Sequence, residues 1–193
     1  SATSIAENAG TSLTLTATLS GATDQNVTVV LGTSGTATEG TDYTDGSGAV
    51  DDITITAGST TGTVSFTPTD DSIYEGNETA TIAISSVTGE ASESGTQAVT
   101  ITITENESAP TVTLTTSATS IAENAGSSLT LTATLSGATN ADVTVALSTS
   151  GAATEGTDYT DGSGNIDDIV ISAGSTTGTV SFTPSDDSVY EDD

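Results

Sequence analysis

The sequence predicts an all-β protein built from two tandem antiparallel β-sandwiches that are joined by a short linker. Three observations support this prediction. First, residues 1–77 align without gaps onto residues 117–193, with 15 differences in 77 positions. Second, apolar residues alternate with Thr and Ser along short segments, which is the period of a half-buried strand. Third, clusters of Gly, Asn, Asp and Ser separate these segments, and no segment shows the period of an amphipathic helix.

Seven strands, A to G, are predicted in one repeat. Strand A is taken from the second repeat, where it begins with Thr111–Leu114, because the first repeat does not contain its start. The apolar positions of the other strands are Leu13, Leu15, Ala17 and Leu19 (B); Val27, Val29 and Leu31 (C); Ile53 and Ile55 (D); Val64 and Phe66 (E); Ala80, Ile82 and Ile84 (F); and Val99, Ile101 and Ile103 (G). Thr and Ser fill most alternate positions, which gives each strand one apolar and one hydroxyl-bearing face. Seven short strands in a 116-residue repeat are typical of an immunoglobulin-like sandwich.

The repeat offset predicts the domain organisation. We expect a first sandwich over residues 1–108, without the start of strand A, and a second over residues 109–193, without its last two strands. We also expect both to belong to a longer tandem array. In the linker Glu105–Pro110, Pro110 restricts Ala109 to extended conformations. The joint between neighbouring repeats is therefore predicted to be stiff.

The charge of the chain excludes several classes of function. The sequence has 27 Asp and Glu, no Lys, Arg, His or Cys, and a formal net charge of −27. It therefore has no cationic group to neutralise a nucleic-acid backbone or an anionic membrane surface. No apolar segment reaches the ~18 residues that cross a bilayer, so we expect neither nucleic-acid binding nor membrane insertion. Disulfides and thiolate or imidazole metal sites are excluded by composition.

Catalysis is also not expected. Without His, Lys or Cys, the chain has no residues for a nucleophile–base pair. Carboxylates alone could act as general acid and base, as they do in glycosidases. Such sites need a concave pocket and usually aromatic platforms, but the chain has only 4 Tyr and 2 Phe. We therefore predict that the protein is not an enzyme.

Acidic residues concentrate in the loops at one end of the predicted sandwich. Consecutive strands alternate in direction, so the loops that follow strands A, C, E and G meet at the same end. Twelve of the fifteen acidic residues of the first repeat fall there, and Asp24, Glu90 and Glu93 lie at the other end. The second repeat has eleven of its twelve there and only Asp142 opposite. Carboxylates crowded without a countercharge repel one another, so this acidic end is predicted to bind cations from solution.

Calcium is the expected cation. Ca²⁺ takes six to eight oxygen ligands in a flexible geometry, whereas Mg²⁺ demands a tighter octahedron and keeps its water. Zinc and copper prefer His or Cys, which the chain lacks. The alternative is that the acidic residues only keep the loops soluble, and that alternative predicts similar acidity at both ends.

Four segments carry a family resemblance: Ser4–Gly10 (SIAENAG), Gly40–Tyr43 (GTDY), Thr69–Glu75 (TDDSIYE) and Ile101–Glu107 (ITITENE). In sequence, order and spacing they resemble the Calx-beta domain. That family is known from the regulatory domains of sodium–calcium exchangers and from tandem arrays in bacterial surface proteins. The resemblance covers the full first repeat and the shorter second one, and it implies a Ca²⁺ cluster at the acidic end.

The resemblance also implies a ligand set in each repeat. In the first repeat the implied ligands are Glu7, Asp42, Asp70, Asp71, the carbonyl of Ile73, Glu75, Glu105 and Glu107. In the second repeat they are Glu123, Asp158, Asp186, Asp187, the carbonyl of Val189 and Glu191. The family often ends strand G with consecutive Asp residues, whereas this chain has Glu105-Asn106-Glu107, so the number of ions stays open.

Other motifs have simpler explanations. Asp42–Gly48 has the composition of an EF-hand loop, but the ligand spacing differs and no helices flank it. Asn26, Asn77 and Asn106 begin N-glycosylation sequons, a short pattern with many false positives. Ladders of alternating Thr could form an ice- or carbohydrate-binding surface. However, Thr is favoured on the solvent face of strands, and twisted sheets do not present flat arrays.

The function predicted from these observations is a calcium-binding structural repeat that extends an adhesin or filament and is stiffened by Ca²⁺ near the joint between domains. We expect a secreted, extracellular protein of a bacterial cell surface, because extracellular modules bind millimolar Ca²⁺. The expected partners are Ca²⁺, neighbouring repeats of the same chain and like chains in a filament. The alternative is a calcium-sensing regulatory domain. The near-identity of the two repeats favours the structural role.

Overall fold

The structure is a computed structural model that describes residues 4–188. Apart from one 3-10 turn at Glu123–Ala125, the regular elements of these residues are sixteen β-strands. No helix among the described residues has the length and hydropathy needed to cross a membrane. The chain divides into two compact units: the first combines the residues up to Asp71 with Glu75–Glu107, and the second combines Ser72–Tyr74 with the residues from Ser108 onward.

The described residues of the first unit form eight strands. They are β1 Ser4–Ala6, β2 Leu13–Thr18, β3 Val27–Gly35, β4 Tyr43–Thr44, β5 Ile53–Ile55, β6 Thr61–Pro68, β8 Glu78–Thr88 and β9 Ala98–Thr104. These strands form a five-stranded sheet in the order β1-β9-β8-β3-β5 and a three-stranded sheet in the order β2-β6-β4. The strands predicted as B to G correspond to β2, β3, β5, β6, β8 and β9.

One pairing in the first unit departs from the antiparallel pattern. Strand β1 runs parallel to β9, with Ser4 opposite Thr102 and Ala6 opposite Thr104. Strand β1 is not among the strands predicted from the sequence, because its three residues are too few to show an alternating pattern. This pairing brings the residue that follows β1 beside the residue that follows β9.

The core of the first unit lies between its two sheets. Alternation along β2 and β6 points Leu13, Leu15 and Val64 inward and Thr and Ser outward. Beneath the acidic end, the rings of Tyr43 and Phe66 stack with their centroids 4.7 Å apart. The buried residues of this cluster are Ile5, Ala37, Tyr43, Val50, Phe66, Ala80, Ile82, Ile101 and Ile103. A second cluster consists of Val27, Val29, Ile53 and Ile55. Each fully buried large side chain stabilises the fold by about 1.5–3 kcal/mol.

The second unit repeats part of this arrangement. Its strands are β7 Ile73–Tyr74, β10 Val112–Thr116, β11 Leu129–Leu135, β12 Ala138–Thr139, β13 Val143–Val145, β14 Tyr159–Thr160, β15 Ile169–Ile171 and β16 Thr177–Pro184. They form the sheet β10-β11-β16-β14, the antiparallel pair β13-β15 and the parallel pair β12-β7. Ala133, Leu135, Ile169 and Ile171 are its buried core. The all-β, sandwich fold class predicted from the sequence is confirmed, and β10 is the predicted strand A.

Candidate metal centre

Carboxylates from four separate segments meet at the acidic end of the first unit. Three groups have carboxylate oxygens that all lie within 4.8 Å of one another: Glu7 with Asp71 and Glu75, Glu7 with Glu105 and Glu107, and Asp42 with Glu75 and Glu78. Because Glu7 and Glu75 each belong to two groups, the seven residues form one continuous set. We call these seven residues the carboxylate cluster.

Glu7 lies at the centre of the cluster and is only 7% exposed. Its N–H donates to the carbonyl of Thr104 at 3.0 Å, which extends the parallel β1–β9 pairing past the end of both strands. Its side-chain Oε1 accepts a hydrogen bond from the N–H of Asp71 at 3.2 Å. The parallel pairing therefore places a buried carboxylate between the end of β9 and the loop that follows β6.

Glu105 follows β9 and accepts hydrogen bonds from the segment that precedes β8. One of its oxygens, Oε2, accepts from the N–H groups of Glu75 at 2.6 Å and Gly76 at 2.9 Å. The other, Oε1, accepts from the N–H groups of Asn106 and Glu107, both at 2.9 Å. Burial raises the pKa of Glu105, but the hydrogen bonds from Glu107, Glu75 and Gly76 outweigh burial and bring its pKa to about 2. Glu105 is therefore ionised throughout the ordinary pH range.

Two other members of the cluster hold protons far more tightly. Burial raises the pKa of Glu7 to about 7; the N–H of Asp71 opposes this change, and the charges of Glu105, Glu107 and Asp71 reinforce it. Burial also raises the pKa of Glu78 to about 7, together with the charge and hydrogen bond of Asp42 and the charges of Glu75 and Glu7. Near neutral pH, these carboxyls are close to half protonated when no cation neutralises them.

Glu107 carries a buried oxygen that no donor satisfies. Asn106 Nδ2 donates to Glu107 Oε1 at 2.8 Å, whereas Oε2 is buried and has no hydrogen-bond partner among the described residues. A buried polar atom without a partner costs free energy, and most such atoms are paired. A cation bound beside Glu7 and Glu105 would supply the missing interaction.

Two predicted ligands are not among the seven cluster residues. Asp70 is exposed and belongs to none of the three groups, although it is the neighbour of Asp71. For Ile73 the predicted ligand is the main-chain carbonyl, which groups of side-chain carboxylates do not test, so it stays a prediction; Ile73 itself lies in β7, where it pairs with Ala138 of β12. Conversely, Glu78 belongs to the cluster but was not among the predicted ligands. Glu78 is the first residue of β8, opposite Ile103 of β9. Its position at the beginning of a strand, at the acidic end, was the only sequence feature that could have identified it as a ligand.

Several other acidic residues of the same end have structural partners instead. Glu39 accepts from the N–H of Val50 at 2.7 Å and from the hydroxyl of Thr33 at 2.9 Å. Asp52 accepts from the N–H of Leu31 at 2.9 Å. These side chains fix loop conformations through protein donors, so the acidic end combines structural carboxylates with the carboxylate cluster.

The second unit reproduces part of the site. Oε1 of Glu123 accepts from the N–H of Asp187 at 3.1 Å, as Glu7 does from Asp71, and Asp158 accepts from the N–H of Thr154. Within residues 4–188, the carboxylate groups of three all lie in the first unit, so Glu123, Asp158, Asp186 and Asp187 form none. At the repeat offset of 116 residues, the positions equivalent to Glu78, Glu105 and Glu107 would come after Asp193. The predicted ligands Val189 and Glu191 lie outside the described residues.

The donor set of the cluster fits a hard divalent cation. All its side-chain ligands are carboxylate oxygens, and the chain has no Lys, Arg or His to neutralise them. Seven carboxylates from several loops match the high, flexible oxygen coordination of Ca²⁺. The buried Oε2 of Glu107 adds one more acceptor oxygen that such an ion could contact.

Comparisons with known proteins identify the family. Two solved structures similar to the chain are CBD12 from CALX1.2 (TM-score 0.46, 20% identity) and the calcium binding domain CBD12 of CALX1.1 (TM-score 0.46, 18% identity). These similarities cover 96% and 95% of this chain and 73% and 72% of those chains. No curated protein matches the sequence. The Calx-beta domain matches twice, over residues 1–107 and 105–193. Because these two matches together span the whole sequence, the chain belongs to the Calx-beta domain family.

Proposed function

We propose that the chain is a calcium-binding structural module and that Ca²⁺ binds to the carboxylate cluster of the first unit. One observation carries this proposal: seven carboxylates form a continuous set around the buried Glu7 in a chain without a single cationic side chain. Membership of the Calx-beta family supports the same conclusion.

Electrostatic repulsion between its carboxylates favours the binding of a cation to the cluster. Two carboxylates 4.8 Å apart repel by about 3.5 kcal/mol at an effective dielectric constant of ~20. Protons relieve part of this repulsion, since the pKa values of Glu7 and Glu78 are both about 7. A divalent ion relieves more of it, because one ion neutralises two charges and contacts several oxygens at once.

Binding should also stabilise the fold. The cluster joins the ends of β1 and β9, the loop after β6 and the start of β8, which are far apart in sequence. One ion can contact carboxylates from all these segments only when the segments are folded into place. The free energy of calcium binding therefore adds to the free energy of folding.

The role that we propose for this module is that of a non-catalytic, extracellular extender in an adhesin or filament. The two repeats share 62 of 77 aligned residues, and this similarity favours a repeated structural role over a sensor role for one specialised repeat. Glu105 and Glu107 immediately precede the linker residues Ser108–Pro110. An ion held by these carboxylates would fix the direction in which the chain leaves β9 and limit the freedom of the linker.

Calcium titration of the full chain by calorimetry tests the proposed function. We expect saturable binding of Ca²⁺, weaker binding of Mg²⁺, and a large loss of Ca²⁺ affinity in Glu7→Gln. Asp24→Asn is the matched control, because it removes one exposed charge at the opposite end of the sandwich. Equal Ca²⁺ affinities in the two variants would contradict the site.

The extender role needs a separate test. Small-angle scattering on a chain of several complete repeats should give a narrow distribution of distances with Ca²⁺ and a broader one after chelation. An unchanged distribution, with the domains still folded, would restrict calcium to a role in domain stability. Submicromolar affinity with a large change in shape would instead indicate the calcium-sensing regulatory role.

A further inference from the structure

One short segment of the first repeat belongs to the second unit. Residues Ser72–Tyr74 lie in sequence between β6 and β8 of the first unit, yet they group with the second unit. Within this segment, β7 pairs in parallel with β12, and the N–H of Asn140 donates to the carbonyl of Tyr74 at 3.3 Å. The chain therefore enters the second unit at Ser72 and returns to the first unit at Glu75.

Both ends of this segment are flanked by members of the carboxylate cluster. Asp71 precedes the segment and Glu75 follows it. Together with Glu7 they form one of the three groups, so their carboxylate oxygens lie within 4.8 Å of one another. The backbone at both ends is also bound to the cluster, because the N–H of Asp71 donates to Glu7 at 3.2 Å and that of Glu75 donates to Glu105 at 2.6 Å. A single ion in this group would contact the residues on both sides of the segment.

The loop that receives the segment is held by its own hydrogen bonds. In the second unit, the carbonyl of Thr139 accepts from the N–H of Gly174 at 2.8 Å, and the hydroxyl of Thr139 donates to the carbonyl two residues further on at 2.7 Å. Its counterpart in the first unit, Thr23, makes the same two bonds at 2.9 Å and 2.8 Å, with Gly58 as the amide donor. No described strand pairs with the loop around Thr23. The pairing of β7 with β12 therefore requires the ordering of Ser72–Tyr74 and not of the receiving loop.

Ion binding changes the entropy that is lost in this ordering. Fixing a backbone segment in one conformation costs conformational entropy. Without an ion, the carboxylates of Asp71 and Glu75 repel each other, and this repulsion favours conformations in which the ends of the segment lie farther apart. An ion that contacts both carboxylates holds the ends together, so less entropy is lost when β7 pairs with β12.

We propose that Ser72–Tyr74 couples calcium binding in the carboxylate cluster to the β7–β12 pairing of the second unit. This inference rests on the proposed function, because it needs Ca²⁺ at Asp71 and Glu75. It does not involve the linker, since the segment lies between β6 and β8 whereas the linker follows β9. The coupling is reciprocal: if Ca²⁺ strengthens the pairing by a given factor, the pairing strengthens calcium binding by the same factor.

Hydrogen exchange of the full chain, measured by NMR with saturating Ca²⁺ and with excess chelator, tests the coupling. We expect calcium to slow exchange of the Asn140 amide, which donates to Tyr74, by at least about fivefold. The amide of Asp24 is the matched internal control, because Asp24 is the counterpart of Asn140 at the repeat offset and lies in a loop with which no described strand pairs. Its exchange should change by less than about twofold. Calorimetry on the same sample measures whether Ca²⁺ binds.

A pair of proline variants tests the reciprocal effect. Asn140→Pro removes the N–H that donates to Tyr74, so the calcium affinity of the cluster should fall about three- to fivefold, although Asn140 is not an acidic residue. Asp24→Pro makes the same backbone change in the first unit and should alter the affinity by less than about twofold. The residue before the proline is Thr in both variants, so the proline restricts the same kind of neighbour. If Asn140→Pro does not fold, the exchange measurement on the parent decides the proposal.

The outcomes separate this inference from the proposed function. If Ca²⁺ binds but exchange of the Asn140 amide is unchanged, the inference is overturned and calcium binding is retained; if no Ca²⁺ binds, both are overturned. At a calcium concentration that saturates the parent but not Glu7→Gln, this variant should show little slowing at Asn140. Undiminished slowing would place the effect of calcium within the second unit, near Glu123 and Asp187, and would overturn the coupling. Equal losses of calcium affinity in the two proline variants would overturn it as well.

Discussion

The substitution Glu7→Gln is the most informative test of the carboxylate cluster. Glutamine keeps the shape of the side chain and an oxygen that can accept from the N–H of Asp71 at 3.2 Å, but it removes the charge. Glu7 is 7% exposed and belongs to two of the three carboxylate groups. The variant should therefore affect the protein in opposite directions with and without calcium.

The two effects follow from the same geometry. Without calcium, the loss of one charge relieves repulsion from Glu105, Glu107 and Asp71, so the variant should be as stable as the parent or more stable. With calcium, the loss of a charged ligand should cost about 2 kcal/mol of binding free energy, which is roughly a thirtyfold rise in Kd.

The size of the change in melting temperature can be worked out. Calcium at 100 times the Kd of the parent stabilises one site by about 2.7 kcal/mol, and a thirtyfold weaker site by only about 0.9 kcal/mol. The difference of about 1.8 kcal/mol corresponds to about 7 °C at ~4 °C per kcal/mol. We therefore expect the calcium-induced rise in Tm to shrink by about 7 °C per affected site.

Thermal melts of the full chain with calcium and with excess chelator measure both effects at once. The control Asp24→Asn, an exposed carboxylate in the β2–β3 loop, should retain the full calcium-induced rise. Glu93 is a poorer control, since its side chain accepts from the N–H of Gln97 at 2.6 Å. If Glu7→Gln lowered the Tm equally with calcium and with chelator, Glu7 would be only a structural residue and the argument would fail.

Three further predictions concern the same end of the first unit. Calcium affinity should fall as the pH drops below about 7, because the pKa values of Glu7 and Glu78 are about 7 and calcium must displace their protons. Calorimetry in buffers of different ionisation enthalpy measures the number of protons released on binding. If no protons were released at pH 6–7, calcium binding would not be coupled to these carboxyls. The calcium-free protein should become more stable as the pH falls from 7 to 4.5. The folded-state pKa values of Glu7 and Glu78 lie above the ordinary 4.5, so the folded state binds more protons than the unfolded state over this range. Thermal melts with excess chelator should show the Tm rising as the pH falls, and a falling Tm would contradict the prediction. Glu39→Gln should lose about 1 kcal/mol of stability equally with and without calcium, because Glu39 holds Val50 and Thr33 rather than the cluster; a selective loss of calcium affinity in calorimetry would show that Glu39 is a ligand.

Local sequence was sufficient for the fold class. The alternation of apolar residues with Thr located the strands. Successive side chains of a strand point to opposite faces of the sheet, so this alternation appears whatever the strand pairs with. The same pattern located the acidic loops, and the sequence, order and spacing of four short motifs pointed to the Calx-beta family. The strands predicted as B to G all appear in the first unit, with apolar residues such as Val64 and Phe66 directed inward.

Only the tertiary structure decided which carboxylates meet. Glu7 reaches Glu105 because β1 pairs in parallel with β9, a contact between residues almost a hundred positions apart. Asp70 and Asp71 are neighbours in sequence and both are exposed, yet only Asp71 has a carboxylate oxygen within 4.8 Å of those of Glu7 and Glu75. Glu78 belongs to the cluster, although its position at the beginning of β8 was the only sequence feature that set it apart from the acidic residues of the loops. The direction of a side chain in a loop is fixed by long-range strand pairing and by hydrogen bonds from backbone N–H groups. The alternating sequence pattern that identifies a strand contains no information about either.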